Sequence, residues 1–176
     1  MLNVSTFAQN LFYANMELQE KLKQEAIALG ACKQGIDSWF NPNTGELCRM
    51  YFKYQDFCIE HNWPSVEQIK EFDRELVESN GIFVQGNSEC KNIKDVAILG
   101  DAVVDVYVID PSDITIRHKG IVNLHLEGDV LCTVSMHDDC RLNVVSKNQR
   151  SRLAVSYWSG IIENKELVDK IYTKTK

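Results

Sequence analysis

The residues of this chain with the richest chemistry are His125, Cys132, His137 and Cys140, the last two enclosing the run His-Asp-Asp-Cys. Zinc takes four such ligands converging as a tetrahedron, usually supplied as two close pairs. The spacing here works against convergence. Cys132 falls in an apolar column of an alternating pattern and His125 in a polar row, so the two are expected on opposite sides of a strand layer. His137 and Cys140 flank a turn and supply two ligands at most. Cys58 and His61 are the minimum for an activated thiol, but Cys58 belongs to the apolar stripe of a predicted helix, where a thiol is packing. Asp138-Asp139 is a paired carboxylate and, more simply, a turn former. The sequence has no glycine-rich phosphate loop, no GxSxG elbow and no HExxH. No catalytic, metal or cofactor-binding residue is therefore expected. The chain reads as a non-enzyme without a cofactor.

The elements that would have to position any site divide into two kinds. From residue 102 to 157 apolar pairs recur every ten residues: Val104/Val106, Ile114/Ile116, Leu124/Leu126, Val134/Met136 and, one residue late, Val155/Tyr157. Val144 keeps the register with Ser146 in the second slot, and Ala102, Ser112, Val122, Cys132, Leu142 and Leu153 form a further column. Between the columns stand polar rows, Asp105, Thr115, His125 and Ser135 in one and Asp113, Asn123, Thr133 and Asn143 in another. Alternation of period two marks a strand with one dry face. Gly100-Asp101, Asp110-Pro111, Lys119-Gly120, Gly128-Asp129 and Asp138-Asp139 punctuate the strands as turns. A regular strand-turn repeat is a stacking architecture, in which each unit buries its apolar face against its neighbours. The expected arrangement is a β-solenoid with about two strands per coil of roughly twenty residues. The alternative is an antiparallel meander packed on helices.

Residues 1–86 read as a small helical domain. Phe7, Leu11, Ala14, Leu18, Leu22, Ala26 and Leu29 lie on one helical face that Gly30 stops. After the turn cluster Asn41-Pro42-Asn43-Thr44-Gly45, a second helix carries Leu47, Met50, Tyr51, Tyr54, Phe57 and Cys58 and ends at Asn62-Trp63-Pro64. Ser65 and Gln68 form a capping box opening a third helix, with Val66, Ile69, Phe72 and Leu76 inward and Asn80-Gly81 as its end. Ile82-Phe83-Val84 reads as a short strand, and Gln85 to Ser88 as a linker. The repeat domain is expected over 87–160. Over 161–176, Leu167, Val168 and Ile171 are spaced for a helix capping the C-terminal end. The fold class is α+β.

Charge excludes several functions. The net charge of −6 is distributed as −5 over residues 1–88, −2 over 89–160 and +1 over 161–176. The third helix, VEQIKEFDRELVE, sets five carboxylates against two basic groups, so a helix-turn-helix reading of the segment around Asn62 to Ser65 would face phosphates with repulsion. Direct nucleic-acid binding is not expected. No apolar run reaches the roughly 18 residues of a membrane helix, and the first residues lack the pattern of a signal peptide. The six cysteines have no close pairs and read as free thiols of a cytosolic protein. Trp39, Phe40, Tyr51, Phe52, Tyr54 and Phe57 crowd the first two helices. Tyr51, Phe52 and Tyr54 cannot share one helical face, so part of this group is available to anchor a partner.

The segment with Asp56, Phe57, Cys58, Ile59, Asn62, Pro64 and Ser65, followed by Asn80 to Val84 and the repeat, resembles a group of proteins from phages and mobile elements of gut Bacteroidetes. The resemblance spans roughly residues 46 to 160. It implies a helical head on a β-repeat body of phage or mobile-element origin, and it implies no activity and no site residue. Taken with the composition, the expected function is a non-enzymatic protein-interaction module that inhibits or redirects a host protein, a defence system included. It would act in the bacterial cytoplasm or on the virion, with homo-oligomers open. A structural or accessory virion protein is the first alternative, and an enzyme of unrecognised type the second.

Overall fold

A computed structural model describes residues 4–175, with side chains from residue 16 onward. It separates into two compact units, Met1–Leu76 and Val77–Lys176. Ile82–Phe83, the short strand expected ahead of the linker, is the first strand of the repeat and pairs in parallel with Asp95–Ile98.

In the first unit, α1 (Val4–Ala28) buries Leu18, Leu22 and Ala26. Phe7, Leu11 and Ala14 of its expected apolar face lie outside the residues whose side chains are described. The helix ends as its glycine requires: Gly30 takes φ 86°, and the N–H groups of Gly30 and Ala31 donate to Ile27 and Ala26 O at 3.0 and 2.9 Å. A short α2 (Lys33–Asp37) follows. The expected second helix is two, α3 (Thr44–Lys53) and α4 (Gln55–His61), broken where Tyr54 leaves helical geometry at φ −115°. Asn43 and Glu46 close a capping box on α3, and Asn62 ends α4 in the left-handed region at φ 49°.

The third helix is also corrected to two, α5 (Val66–Lys70) and α6 (Arg74–Ser79). Ser65 and Gln68 form the capping box that begins α5. Asp73 then competes with helix continuation, its Oδ1 accepting the Leu76 N–H at 3.0 Å as a new N-terminal cap. Leu18, Leu22 and Trp39 form the core of the helical unit, with Leu47, Met50, Trp63 and Phe72 packed against them.

The second unit is a β-solenoid of about five turns built from parallel strands. Its strands are β1 (Ile82–Phe83), β2 (Asn87–Lys91), β3 (Asp95–Ile98), β4 (Val103–Val108), β5 (Ser112–Ile116), β6 (Ile121–Leu126), β7 (Leu131–Met136), β8 (Arg141–Lys147), β9 (Arg152–Tyr157), β10 (Ile161–Glu163) and β11 (Lys170–Thr173). Odd-numbered strands stack in one sheet and even-numbered strands in the other. Each coil therefore contributes one strand to each sheet, and the apolar columns meet between them. Val104, Leu124, Val134, Leu142 and Val155 are fully buried there. Val96 pairs with Ile114, Ile114 with Val134 and Val134 with Val155, so successive coils measure 18, 20 and 21 residues.

The last of these coils holds one extra residue. Leu124 pairs with Val144, but His125 pairs with Ser146, so Val145 bulges out of β8 and is 47% exposed. This is why Val155/Tyr157 come one residue late. Outward side chains form ladders, with Asn143 Nδ2 donating to Asn123 Oδ1 and Asn164 Nδ2 to Asn143 Oδ1, each at 3.2 Å. Corners turn through left-handed residues: Gly100, His118 and Asp138 have φ of 59°, 57° and 63°. Glycine, asparagine, aspartate and histidine are the types that tolerate this region best.

The expected C-terminal helix is not formed. Residues of that segment make β10, a 3₁₀ turn (Lys165–Leu167) and β11, which pair with β8 and β9. The solenoid offers unpaired strand edges at its end, and adding two strands satisfies more backbone than a detached helical turn would. Leu167 and Val168 still pack on the core, as their apolar character demands.

Candidate functional site

The four residues with metal-ligand chemistry are set apart by the two-sheet construction. His125 faces outward on β6, its ring stacked on Tyr107 at 4.4 Å and its Nδ1 3.4 Å from Ser146 Oγ. Cys132 points into the core from the opposite sheet, and burial pushes its thiol up to about 12. His137 stacks on Trp158 at the corner after β7, with ring centroids 4.2 Å apart. Cys140 is fully buried, and burial raises its thiol to about 11. Among the described residues no group of three or more His, Cys, Asp or Glu side chains is placed to hold a metal ion.

The other candidates lie in packing and turn contacts. Cys58 is 2% exposed, while His61 packs against Phe57 with ring centroids 4.5 Å apart. Asp138 turns the chain at a corner, and its Oδ2 accepts the His118 N–H at 3.2 Å. Arg117 Nε lies 3.5 Å from the same oxygen. His118 in turn accepts the Gly100 N–H on Nδ1 at 3.2 Å, which fixes the neutral ring with its proton on Nε2. Burial, and then the Arg117 charge, holds the His118 pKa below its ordinary value.

The helical unit carries a different kind of site, at the turn between α2 and α3. Trp39 and Phe40 are consecutive aromatics in irregular chain, and both cannot enter the same small core. Trp39 is buried and packs near Trp63, with ring centroids 5.9 Å apart. Asn41 then reverses the chain at φ 43°, and Phe40 is left 89% exposed. Beside Phe40 lies a cleft of about 280 Å³ lined by Pro42 and Met50 and rimmed by Glu46, Arg49 and Lys53. The α3 capping box fixes this arrangement, since Asn43 leads directly from the turn into the helix bearing the other residues.

Of the aromatic group expected to be exposed in part for a partner, Phe40 is the ring left most open. Tyr51 is buried, Phe52 packs edge-on against it at 5.6 Å, and Phe57 lies against Trp63 at 5.8 Å. The signal that would have found Phe40 is local. Two adjacent aromatics followed by Asn-Pro, outside any helix, must part company at the turn.

A large exposed ring beside a cleft of mixed apolar and charged lining can do binding chemistry. No protein-family profile, curated protein or solved structure matches the chain.

Proposed function

We propose that this chain is a non-enzymatic protein-interaction module of phage or mobile-element type that binds a host protein and inhibits or redirects it. The helical unit makes the contact and the solenoid serves as a rigid polar body. The observation that carries this reading is Phe40, 89% exposed beside the cleft of Pro42 and Met50. An aromatic ring in that setting has the character of an interface anchor, because it loses much apolar surface and little conformational freedom when covered. No described helix is long and apolar enough to cross a membrane, which accords with action in the cytoplasm or on a particle.

The test is affinity capture from lysate of the bacterial host with the full chain and with Phe40→Ala. A host protein recovered in stoichiometric amount by the wild type and lost with the variant supports the module. Recovery of virion proteins alone would favour a structural or accessory role in the particle. Turnover of a metabolite by the pure chain would replace both with an enzyme.

A further inference from the structure

The charge around the Phe40 cleft has one sign left over, and that sign describes the occupant. This inference rests on reading Phe40 as a protein contact. Arg49 and Lys53 stand four residues apart on α3 and so share one face of it. Neither has a carboxylate partner among the described residues, and the Lys53 ammonium lies 5.1 Å from the Tyr54 ring centroid. Glu46, the carboxylate of the rim, accepts the Asn43 N–H on Oε2 at 2.8 Å and keeps its charge, so Arg49 and Lys53 leave the rim with one positive charge in excess. A guanidinium and an ammonium without carboxylate partners beside an exposed aromatic are thus a cationic spot on a chain of net charge −6.

We propose that the cleft takes an acidic segment of another protein. One bulky apolar side chain of that segment seats between Phe40, Pro42 and Met50, and flanking carboxylates meet Arg49 and Lys53. The volume of about 280 Å³ can accommodate a single large side chain. Arg49 offers a planar fork that matches a carboxylate in two hydrogen bonds, and Lys53 adds a second charge one helical turn away.

Short random peptides displayed on yeast, selected on the full-length protein, test this without presupposing a sequence. The selection is repeated on Phe40→Ala and on the double variant Arg49→Glu, Lys53→Glu; all three side chains are exposed, and circular dichroism checks that each variant is folded. The expected result is enrichment of Leu, Phe or Trp flanked by Asp and Glu. A synthetic peptide of the enriched sequence should bind the wild type and lose about tenfold in affinity or more to the charge-reversed variant. Neutral or basic peptides that still depend on Phe40 would overturn the acidic occupant and leave the protein contact standing. Peptides indifferent to Phe40, or no enrichment at all, would overturn both. Sedimentation supplies the last arm. Self-association abolished by the charge reversal would give the cleft to a second copy, through Leu76, 52% exposed beside Asp73 and Glu75, and would overturn the foreign partner.

Discussion

Lys147 Nζ lies 2.7 Å from Asp169 Oδ2, joining the end of β8 to the start of β11. The bulge at Val145 sets this up. It aligns Lys147 with Leu126, so that a lysine occupies an inward slot and is only 12% exposed. Its partner Asp169 also accepts the Leu153 N–H at 2.7 Å, with Arg152 Nη1 3.7 Å away. The last strand is thereby pinned through one carboxylate.

Asp169→Asn should loosen that end. Burial by itself would raise the Asp169 pKa, but the Lys147 ammonium, the Leu153 N–H and Arg152 outweigh it and hold the carboxyl below its usual range. A folded-state pKa below the unfolded one gives stability that is present above about pH 4 and is lost as pH falls further. The variant should cost about 1 kcal/mol at neutral pH, because the pair is only partly buried. Hydrogen exchange should show residues 170–173 opening first in the variant at neutral pH, and in the wild type below about pH 4. Equal protection of β11 in both proteins at neutral pH would exclude the pin.

Val134 and Ser135 are neighbours on β7 with opposite surroundings, Val134 having no exposed surface and Ser135 facing outward. Val134→Asp should cost several kcal/mol, roughly enough to unfold a marginal domain. Ser135→Asp should change stability by about 0.5 kcal/mol or less. Urea titration of the two variants compares them directly, and similar midpoints would contradict the register.

Thiol reactivity should separate one cysteine from the rest. Cys32 is exposed, whereas burial pushes Cys48, Cys90 and Cys140 up to about 11 and Cys132 to about 12. Cys58 is buried as well. A chromogenic disulfide reagent at neutral pH should modify Cys32 rapidly in the native protein and all six thiols in denaturant. Rapid reaction of Cys132 without unfolding would show that the solenoid opens.

His118 should make the solenoid acid-sensitive in a higher range. Its folded pKa is lowered, so the unfolded chain binds the proton more readily. Stability is then complete above about pH 6.5 and falls as pH drops toward the folded value. Protonation also puts a hydrogen on Nδ1, where the Gly100 N–H now donates. His118→Asn, tolerated at φ 57°, should flatten the dependence of the urea midpoint between about pH 7 and pH 5. An unchanged slope would locate the sensitivity elsewhere.

The solenoid was readable in the sequence because stacking makes every coil obey the same rule. Val104, Leu124 and Val144 occupy equivalent slots, so the burial requirement is written repeatedly; Ser146, which the ten-residue spacing puts in an inward slot, is moved by the bulge to the outward row beside His125. The helical unit states each requirement once. Phe72 and Leu76 continue a helical period straight through Asp73, and nothing in that spacing reveals that the Asp73 carboxylate caps a new helix. Leu167, Val168 and Ile171 suit a helix or a strand end equally well, and the choice is made by the free edges of β8 and β9, which no local pattern records. Phe40 stands in the aromatic group without being singled out, although Trp39, Asn41 and Pro42 beside it carry a local signal. An aromatic letter signals burial, and its exposure follows only from the Asn41 reversal and from Trp39 having taken the core position.

The Val145 bulge bears on how such a chain can change length over evolutionary time. Residues on either side of it, Leu124 with Val144 and His125 with Ser146, keep their partners. Deleting Val145 would leave every pairing intact and simply shorten that coil. An inserted residue is thus extruded at the point of entry instead of shifting the frame of all later strands, as it would in a hairpin sheet. Drift in length is confined to one storey of the stack, and a lineage carrying this body can accumulate small insertions without first finding a compensating deletion.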